Sequence, residues 1–191
     1  RDPIPDSRPA VQQDVLTVTP EGLYCPRGDF HIDPRRPVPR AVITHGHADH
    51  ATPGHGAYWC LADGAPVLRS RLGSKIQLHP IPHGKGFRLG DARVSFHHAG
   101  HVLGSAQVRI EVDGQSWVFT GDFKRDPDPT CAPFEPVPCD VLITESTFAL
   151  PTYRWPDPAA EVGRIRTWWE DCKQTNRTAV LLVYALGKAQ R

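Results

Sequence analysis

The sequence predicts an α/β protein in which sheets pack face to face and helices lie outside them. Three observations predict this fold: strand-like segments are many, helical segments are few, and histidines and aspartates follow the ends of strands. Ligand-bearing loops of layered α/β folds usually lie at the carboxyl ends of strands, along one sheet edge. The length of 191 residues suits one domain of ordinary size or part of a larger one.

Short strands separated by breaker residues fill the first third of the chain. Residues 15–19 alternate between apolar and polar and predict a first strand. Residues 22–25 and 29–33 predict a hairpin, because the turn Pro26-Arg27-Gly28 separates them. Further buried strands are expected over 41–44 and 58–61.

Two helices are predicted. One spans 66–72, with Pro66 near its start and Gly73 just after its end. The other spans 159–173 and has apolar residues at helical spacing, namely Val162, Ile165, Trp168 and Trp169. The tryptophan pair is interpreted as core packing rather than as a platform for stacking bases.

The remaining strands follow the first helix. Residues 74–90 hold several breakers and predict a loop with short strands. Longer strands are expected over 93–97, 107–112, 115–119, 140–144 and 178–184. The pair Asp113-Gly114 predicts a tight two-residue hairpin between the second and third of them.

Composition excludes several classes of protein. With 22 basic and 21 acidic residues, the net charge of +1 provides no global field for a polyanion, so such a ligand would need a local patch or bound metal. Five cysteines without a C-x-x-C pair argue against a disulfide framework and a zinc ribbon, and favour a reducing cytoplasm. No apolar run approaches the roughly 18 residues that span a bilayer, and no signal peptide is evident, so we expect no membrane partner.

One six-residue run carries most of the functional information. His45, His47, Asp49 and His50 follow the apolar stretch 41–43 directly. A solvated loop has no reason to collect three imidazoles and a carboxylate at this spacing, whereas Zn²⁺ prefers such ligands. His45 and His47 are two residues apart and project to the same side, where both can reach one metal. Asp49 and His50 come after the turn and can face a second metal.

Two later positions extend the predicted ligand set. His101 lies in a glycine-flanked loop just past a strand, and the glycines allow the backbone to come close to a metal. His101 is therefore the expected third imidazole on the first metal. Asp122 directly follows the strand that ends at Phe119. Because a carboxylate can bridge two cations and a single imidazole cannot, Asp122 is the expected bridging ligand.

The order of these motifs, H-x-H-x-D-H, then H-x-x-G-S, then T-G-D, resembles the metallo-β-lactamase family, whose fold is an αββα sandwich with a metal site at one sheet edge. The resemblance implies the same assignment as the residues: a first metal on His45, His47 and His101, a second on Asp49 and His50, and a bridge through Asp122. It also implies that Asp33 supports the site without being a main ligand. An aspartate at position 122 differs from the β-lactamases that place a cysteine there.

The stretch 142–148 narrows the resemblance to the β-CASP nucleases, which include Artemis-type DNA repair nucleases and mRNA 3′-end cleavage endonucleases. It resembles their motif A, whose acid matches Glu145, sits beside the metals and orients a histidine from a later motif. Segments 20–26, 126–136 and 153–156 are most similar to the bacterial ligase-associated DNA exonucleases, also called exonuclease-like mRNA 3′-end processing factors.

The resemblance covers about residues 14–191 and implies three parts. These are a flexible N-terminal arm over 1–13, the N-terminal part of a metallo-β-lactamase-like catalytic domain over 14–186, and the start of the β-CASP region over 187–191. The β-CASP insertion and the later histidines, including the last ligand of the second metal, are not in this sequence. Since the sequence also contains no methionine, we expect a fragment truncated before or at that insertion.

The implied function is metal-dependent hydrolysis of DNA, as an exonuclease in DNA repair, by a metal-activated water. Two divalent metal ions are implied as cofactors, with Zn²⁺ expected and Mn²⁺ as the alternative. Asp49 is assigned two roles, binding metal and accepting a hydrogen bond from the attacking water, and Glu145 would orient the histidine that acts as general acid. The implied partners are DNA, or RNA as the alternative, and a DNA ligase and helicase of the same repair process.

Other interpretations stay open. An RNA-processing β-CASP ribonuclease would use the same chemistry, since the two substrates differ at the 2′-hydroxyl. A thioester or lactone hydrolase on the same fold is disfavoured by Glu145 and its motif. An inactive scaffold is disfavoured because every available ligand position is filled. His55, His79 and His83 are interpreted as surface or loop residues, and a ligand role for His97 or His98 is disfavoured.

Overall fold

The structure is a computed structural model that describes residues 14–191. Two compact units divide the chain, one ending at Thr144 and the other spanning Glu145–Arg191. The arm expected over 1–13 lies outside the described residues. Among the described residues, no helix has the length and apolar character needed to cross a bilayer.

Six strands form the first sheet of unit 1, side by side in chain order. They are β1 (Thr17–Thr19), β2 (Gly22–Cys25), β3 (Phe30–Ile32), β4 (Arg40–Val42), β5 (Ala57–Leu61) and β6 (Leu78–Ile81). The antiparallel pairing of β2 with β3 confirms the predicted hairpin, whereas β3 to β6 run parallel. Parallel neighbours need a crossover connection. Helix α1 (Ala65–Leu72), which ends before Gly73 as predicted, forms the one between β5 and β6.

Five strands form the second sheet, in the order β11-β10-β9-β8-β7. They are β7 (Phe87–Leu89), β8 (Ala92–His98), β9 (Ala106–Val112), β10 (Gln115–Phe119) and β11 (Val141–Ile143). All neighbours are antiparallel except β11, which runs parallel to β10. Asp113 and Gly114 have φ values of 49° and 80°, so the predicted two-residue hairpin between β9 and β10 is confirmed.

The two sheets pack face to face around the main core. Alternate residues of β8 and β9 point inward, because successive side chains of a strand face opposite sides. The inner faces contribute Val94, Phe96, Val108 and Ile110 from the second sheet and Phe30, Ile32 and Val42 from the first. A second core lies on the other face of the first sheet, where Leu68 of α1 belongs to the same buried cluster as Ile43 and Tyr58. A helix on one sheet and a second sheet on the other confirm a metallo-β-lactamase-like sandwich.

Unit 2 contains the second predicted helix, α2 (Pro158–Gln174). Asp157 caps its first turn by accepting hydrogen bonds from the backbone N–H groups of Ala159 and Ala160. The interpretation of the tryptophan pair as core packing is wrong for the described chain. Trp168 is 40% exposed and Trp169 63% exposed, because within unit 2 nothing covers the apolar stripe of the helix.

The strand predicted over 178–184 is also wrong for the described chain. These residues are irregular, and Leu182 is 94% exposed. A strand is stabilised by hydrogen bonds to a neighbouring strand, and within Glu145–Arg191 there is no strand to pair with. Apolar composition favours burial of this segment but does not supply the partner.

Candidate metal centre

Three loops of unit 1 bring the predicted ligands to one edge of the sandwich. They follow β4, β8 and β10 and carry the 45–50 run, His101 and Asp122, respectively. The backbone N–H of Ala106 donates to the carbonyl of Thr44 at 2.9 Å, which joins the first two loops. Strand ends at a shared edge therefore assemble side chains that are up to 77 positions apart, from His45 to Asp122.

The first group of donors consists of His45, His47, His101 and Asp122. His47 Nδ1 lies 3.0 Å from His45 Nε2 and 3.3 Å from His101 Nε2. Asp122 Oδ2 lies 3.8 Å from His45 Nε2 and 3.6 Å from His101 Nε2. All four donor atoms lie within 4.8 Å of one another. The structure therefore brings together the residues that the sequence assigned to the first metal and to the bridge.

These separations fit a tetrahedral metal ion. Bonds of about 2.0–2.2 Å from Zn²⁺ to imidazole nitrogen and carboxylate oxygen place neighbouring donors about 3.3–3.6 Å apart. The four separations, from 3.0 Å to 3.8 Å, bracket that range. Three imidazoles and a carboxylate also match the ligand types that Zn²⁺ prefers. Residues and geometry therefore form a histidine-rich candidate metal site.

The second group is smaller and more open. His50 Nε2 lies 3.4 Å from Asp122 Oδ1 and 3.6 Å from Asp49 Oδ2. The Asp49 side chain is 80% exposed. The two oxygens of Asp122 thus face different groups, Oδ2 toward the first and Oδ1 toward the second. This arrangement is the one that a bridging carboxylate requires.

Asp33 orients both groups from behind. Its Oδ2 accepts a hydrogen bond from the Thr44 hydroxyl at 2.6 Å and lies 2.8 Å from His50 Nδ1. The Thr44 oxygen in turn lies 3.0 Å from His45 Nδ1. Because the Thr44 proton is used on Asp33, the Thr44 oxygen accepts the Nδ1 proton of His45, and Asp33 accepts that of His50. Each ring therefore presents an unprotonated Nε2 to the centre, as outer hydrogen bonds do in metal sites.

The local charges act differently on the two histidines that Asp33 orients. Burial, reinforced by the neighbouring imidazoles of the cluster, lowers the pKa of His45. Burial also acts to lower the pKa of His50. The hydrogen bond and charge of Asp33, with the charges of Asp122 and Asp49, outweigh burial, and the net effect raises the pKa of His50. His45 is thus a neutral imidazole whose nitrogen lone pair can bind a metal ion. His50 lies among carboxylates, and their negative charge favours a cation nearby.

Two small residues determine how closely the loops approach. Gly121 has a φ of 56°, and a Cβ added there would lie 2.8 Å from Thr44 Cβ. A side chain at this position would displace Thr44 and its hydrogen bonds to Asp33. Ser105 Oγ accepts hydrogen bonds from the backbone N–H groups of His101 and Val102. Ser105 therefore caps the loop that carries His101.

Glu145, His55 and Lys124 have the following contacts. Glu145 belongs to unit 2, where its carboxylate accepts a hydrogen bond from the backbone N–H of Thr147 at 3.2 Å. His55 lies in a loop, as predicted, and is buried there: it is 8% exposed, and its Nδ1 accepts a hydrogen bond from the Val38 N–H. Lys124, two residues after Asp122, donates a hydrogen bond to the buried Asp128 at 3.2 Å.

Sequence reasoning missed a second cluster, formed by His83, His97 and Glu135, whose donor atoms also lie within 4.8 Å of one another. These residues are separated by up to 52 positions and belong to no compact motif. The only signal in the sequence was alternation in β8, which places His97 on the polar face of the strand.

Three curated proteins illustrate the relationships of the chain. A probable DNA ligase from Opitutus terrae is 35% identical over 175 residues, which are 88% of this chain and 17% of that protein. Endoribonuclease YSH1 from Candida glabrata is 40% identical over 96 residues, 49% of this chain and 12% of that protein. Cleavage and polyadenylation specificity factor subunit 3 from Dictyostelium discoideum is 37% identical over 101 residues, 51% of this chain and 13% of that protein.

The chain thus spans between 12% and 17% of the length of these three relatives. Together with the sandwich fold and the His/Asp cluster, the matches establish a distant and partial relationship to the metallo-β-lactamase/β-CASP family. No protein-family model matches the chain.

Two solved structures resemble parts of the chain. A protein of unknown function from Enterococcus faecalis aligns with 71% of this chain and 39% of its own, with a TM-score of 0.48 and 15% identity. Zn²⁺-bound PqqB from Methylobacterium extorquens aligns with 42% of this chain and 37% of its own, with a TM-score of 0.33 and 11% identity. The order of the strands in the two sheets and the core packed between them define the fold.

Proposed function

We propose that this chain carries the metal centre of a metal-dependent phosphodiesterase that hydrolyses DNA, acting as an exonuclease in DNA repair. The observation that carries the proposal is that the two carboxylate oxygens of Asp122 face different donor groups. Oδ2 faces the first group and Oδ1 faces the second. A carboxylate shared between two donor groups suits the closely spaced pair of cations that two-metal hydrolases use.

Each residue has a defined task in this proposal. His45, His47 and His101 hold one cation, Asp49 and His50 hold the other, and Asp122 bridges them. When bound, a pair of divalent cations lowers the pKa of water and neutralises charge on a phosphate group. Asp49, which is exposed beside His50, accepts a hydrogen bond from the attacking water and aligns it. Asp33 and Thr44 keep the imidazole tautomers fixed throughout.

The remaining roles follow from the family relationship. Glu145 is proposed to orient the histidine that protonates the leaving oxygen. Zn²⁺ is the proposed cofactor because imidazoles dominate the ligand set, with Mn²⁺ as the alternative. Residues 14–186 are proposed as part of the catalytic domain and 187–191 as the start of the β-CASP region. A reducing cytoplasm is supported by the five free cysteines.

DNA is favoured over RNA by the extent of the matches. The probable DNA ligase aligns with 88% of this chain at 35% identity, whereas the endoribonucleases YSH1 from Yarrowia lipolytica and Candida glabrata align with 78% and 49% of it, at 30% and 40% identity. A DNA ligase, with a helicase of the same process, is accordingly the proposed partner. RNA hydrolysis is the second candidate. It is favoured by the 40% identity to the Candida glabrata endoribonuclease, which extends over 96 residues.

Parallel assays on DNA and RNA of one sequence test the proposal. The protein carrying this chain is incubated with end-labelled single- and double-stranded oligonucleotides, with Zn²⁺ or Mn²⁺, beside its Asp49→Asn and His79→Ala variants. We expect DNA to be shortened from an end, Asp49→Asn to abolish the activity, and His79→Ala to retain it. Faster turnover of RNA would replace the DNA assignment, and activity that persists in Asp49→Asn would refute the mechanism.

A further inference from the structure

We propose that His83, His97 and Glu135 form a second, separate binding site for a divalent transition-metal ion on the outer face of the second sheet. The three residues come from the β6–β7 loop, from β8 and from the loop that leads to β11. None of them belongs to the centre described above.

The donor atoms already converge. Glu135 Oε1 lies 2.6 Å from His83 Nε2 and 3.0 Å from His97 Nδ1. These separations are shorter than the roughly 3.3 Å between donors of a tetrahedral Zn²⁺ site, so the donors must move apart by a few tenths of an ångström. His83 can make this movement, because its side chain is 43% exposed and lies beside Gly84 in a turn.

Each ligand is held by a second contact, as ligands of metal sites are. His97 Nε2 lies 3.1 Å from Ser95 Oγ. If Nε2 carries the proton and donates it to this hydroxyl, Nδ1 is unprotonated and can bind a metal ion. Glu135 Oε1 also accepts the backbone N–H of His98 at 3.2 Å. The His83 ring stacks on His98 with 4.2 Å between centroids and 6° between planes. These contacts fix the three donors toward one point.

The ligand types also favour a cation. One carboxylate and two imidazoles supply the charge and softness that Zn²⁺ and its neighbours in the first transition row prefer.

Access from solvent is also present. His97 lines a cavity of about 280 Å³ on this face, together with Ser95, Gly84, Arg93, Arg109, Val137 and Pro138. Arg93 and Arg109 are both paired with Glu111, at 2.7 Å and 2.6 Å, which argues against an anion as the ligand. Because the His83 side chain is 43% exposed, an ion on these three ligands would also be open to solvent, as in an open site.

The bound ion would tie the loop of Glu135 to β8. That loop already lies along the sheet, since Gln107 Nε2 donates to the carbonyls of Glu135 at 2.7 Å and His98 at 3.0 Å. An ion that binds only the folded arrangement stabilises it by mass action. We therefore expect saturation of this site to raise the melting temperature beyond the effect of the first centre.

Metal counting on the full chain tests this inference. The protein is freed of metal with a chelator, titrated with Zn²⁺ by calorimetry, and analysed for zinc after buffer exchange. His83→Ala is expected to bind one equivalent fewer than wild type, and its matched control His79→Ala the wild-type number. Equal zinc content in His83→Ala and wild type would overturn the proposal.

Glu135→Gln separates ligation from a structural role. Glutamine retains hydrogen bonds to His83 and His97 but offers no carboxylate to the ion. We expect at least a tenfold weaker binding of the additional equivalent, with an unchanged circular dichroism spectrum. If the variant lowers the melting temperature of the metal-free protein and leaves zinc stoichiometry unchanged, the cluster is a hydrogen-bonded brace and the proposal fails. The first centre is intact in both variants, so this outcome leaves the proposed function untouched.

Discussion

The two histidine clusters of unit 1 use the same chemistry with different degrees of support. In the first cluster, His45 is 3% exposed, and a carboxylate behind the ligands fixes the tautomers of two rings. In the second, His83 is 43% exposed, and a neutral hydroxyl, that of Ser95, holds one ring. A charged acceptor orients more strongly than a neutral one. The comparison teaches that the proposed catalytic centre differs from the proposed second site in the preorganisation behind its ligands more than in the ligand types themselves.

Removing a ligand of the first cluster is expected to have the largest effect. His47 Nδ1 is the atom that His45 and His101 both approach, so His47→Ala leaves the first metal with two imidazoles. We expect zinc content to fall by at least one equivalent and nuclease activity to fall by more than about 100-fold. Chelation of the wild type should produce the same loss, and added Zn²⁺ should reverse it only in the wild type. Retained metal and activity in His47→Ala would contradict the ligand assignment.

The Asp33→Asn variant tests the support behind the ligands. One amide cannot accept the protons of both Thr44 and His50 while keeping the other contacts, so the tautomers are no longer fixed. We expect zinc affinity to fall by about 10–100-fold, measured by competition with a chromogenic chelator. Asp29→Asn is the matched control, because Asp29 has a φ of 48°, close to the 44° of Asp33, and hydrogen-bonds Tyr24 outside the centre. An equal loss in both variants would mean that backbone effects, not the relay, determine affinity.

The Gly121→Ala variant separates backbone conformation from crowding at the first centre. The left-handed backbone alone costs about 1–3 kcal/mol for a residue with a side chain. At Gly121 the new methyl would also lie 2.8 Å from Thr44 Cβ, whereas at Gly114, with a φ of 80°, nothing lies within 4 Å. We expect both alanine variants to lower the free energy of unfolding in urea, and only Gly121→Ala to weaken zinc binding. Unchanged zinc affinity in Gly121→Ala would show that Thr44 tolerates displacement.

The Ser95→Ala variant measures the weaker support of the second cluster. Loss of one neutral hydrogen bond to His97 should weaken the additional zinc equivalent by about tenfold, at the lower end of the effects of such outer contacts. The loss should be smaller than that of Asp33→Asn at the first centre. Calorimetric titrations of the two variants side by side give both numbers. A larger loss in Ser95→Ala would reverse the comparison between the clusters.

Cysteine labelling gives the smallest and most local readout. Cys131 and Cys139 are partly exposed and flank the loop of Glu135, whereas Cys25 and Cys60 are buried in the first sheet. Burial raises the pKa of Cys60 to about 12, so it carries almost no thiolate at neutral pH. We expect a thiol reagent followed by mass spectrometry to modify Cys131 and Cys139 first, and Zn²⁺ to slow that modification a few-fold. Early modification of Cys60 would contradict its burial.

The differences between expectation and structure concern elements that need a partner. Local signals were sufficient where a segment determines its own conformation: the turn at Asp113-Gly114 and the end of α1 at Gly73. The strand expected over 178–184 lacks a neighbour within unit 2, and the tryptophans of α2 lack a cover there. Apolar periodicity predicts that a surface favours burial, but burial itself depends on a second surface.

The sequence by itself predicted the ligand types of the proposed first centre, because three imidazoles and a carboxylate in the 45–50 run have few other uses. It also determined the alternation and turns that make two sheets. Only the tertiary structure placed Asp33 and Thr44 behind the histidines, turned the two oxygens of Asp122 toward different groups, and gathered His83, His97 and Glu135 on an outer sheet face. The physical reason is that ligand identity is a local property, whereas distances between side chains far apart in the chain depend on strand register and loop closure.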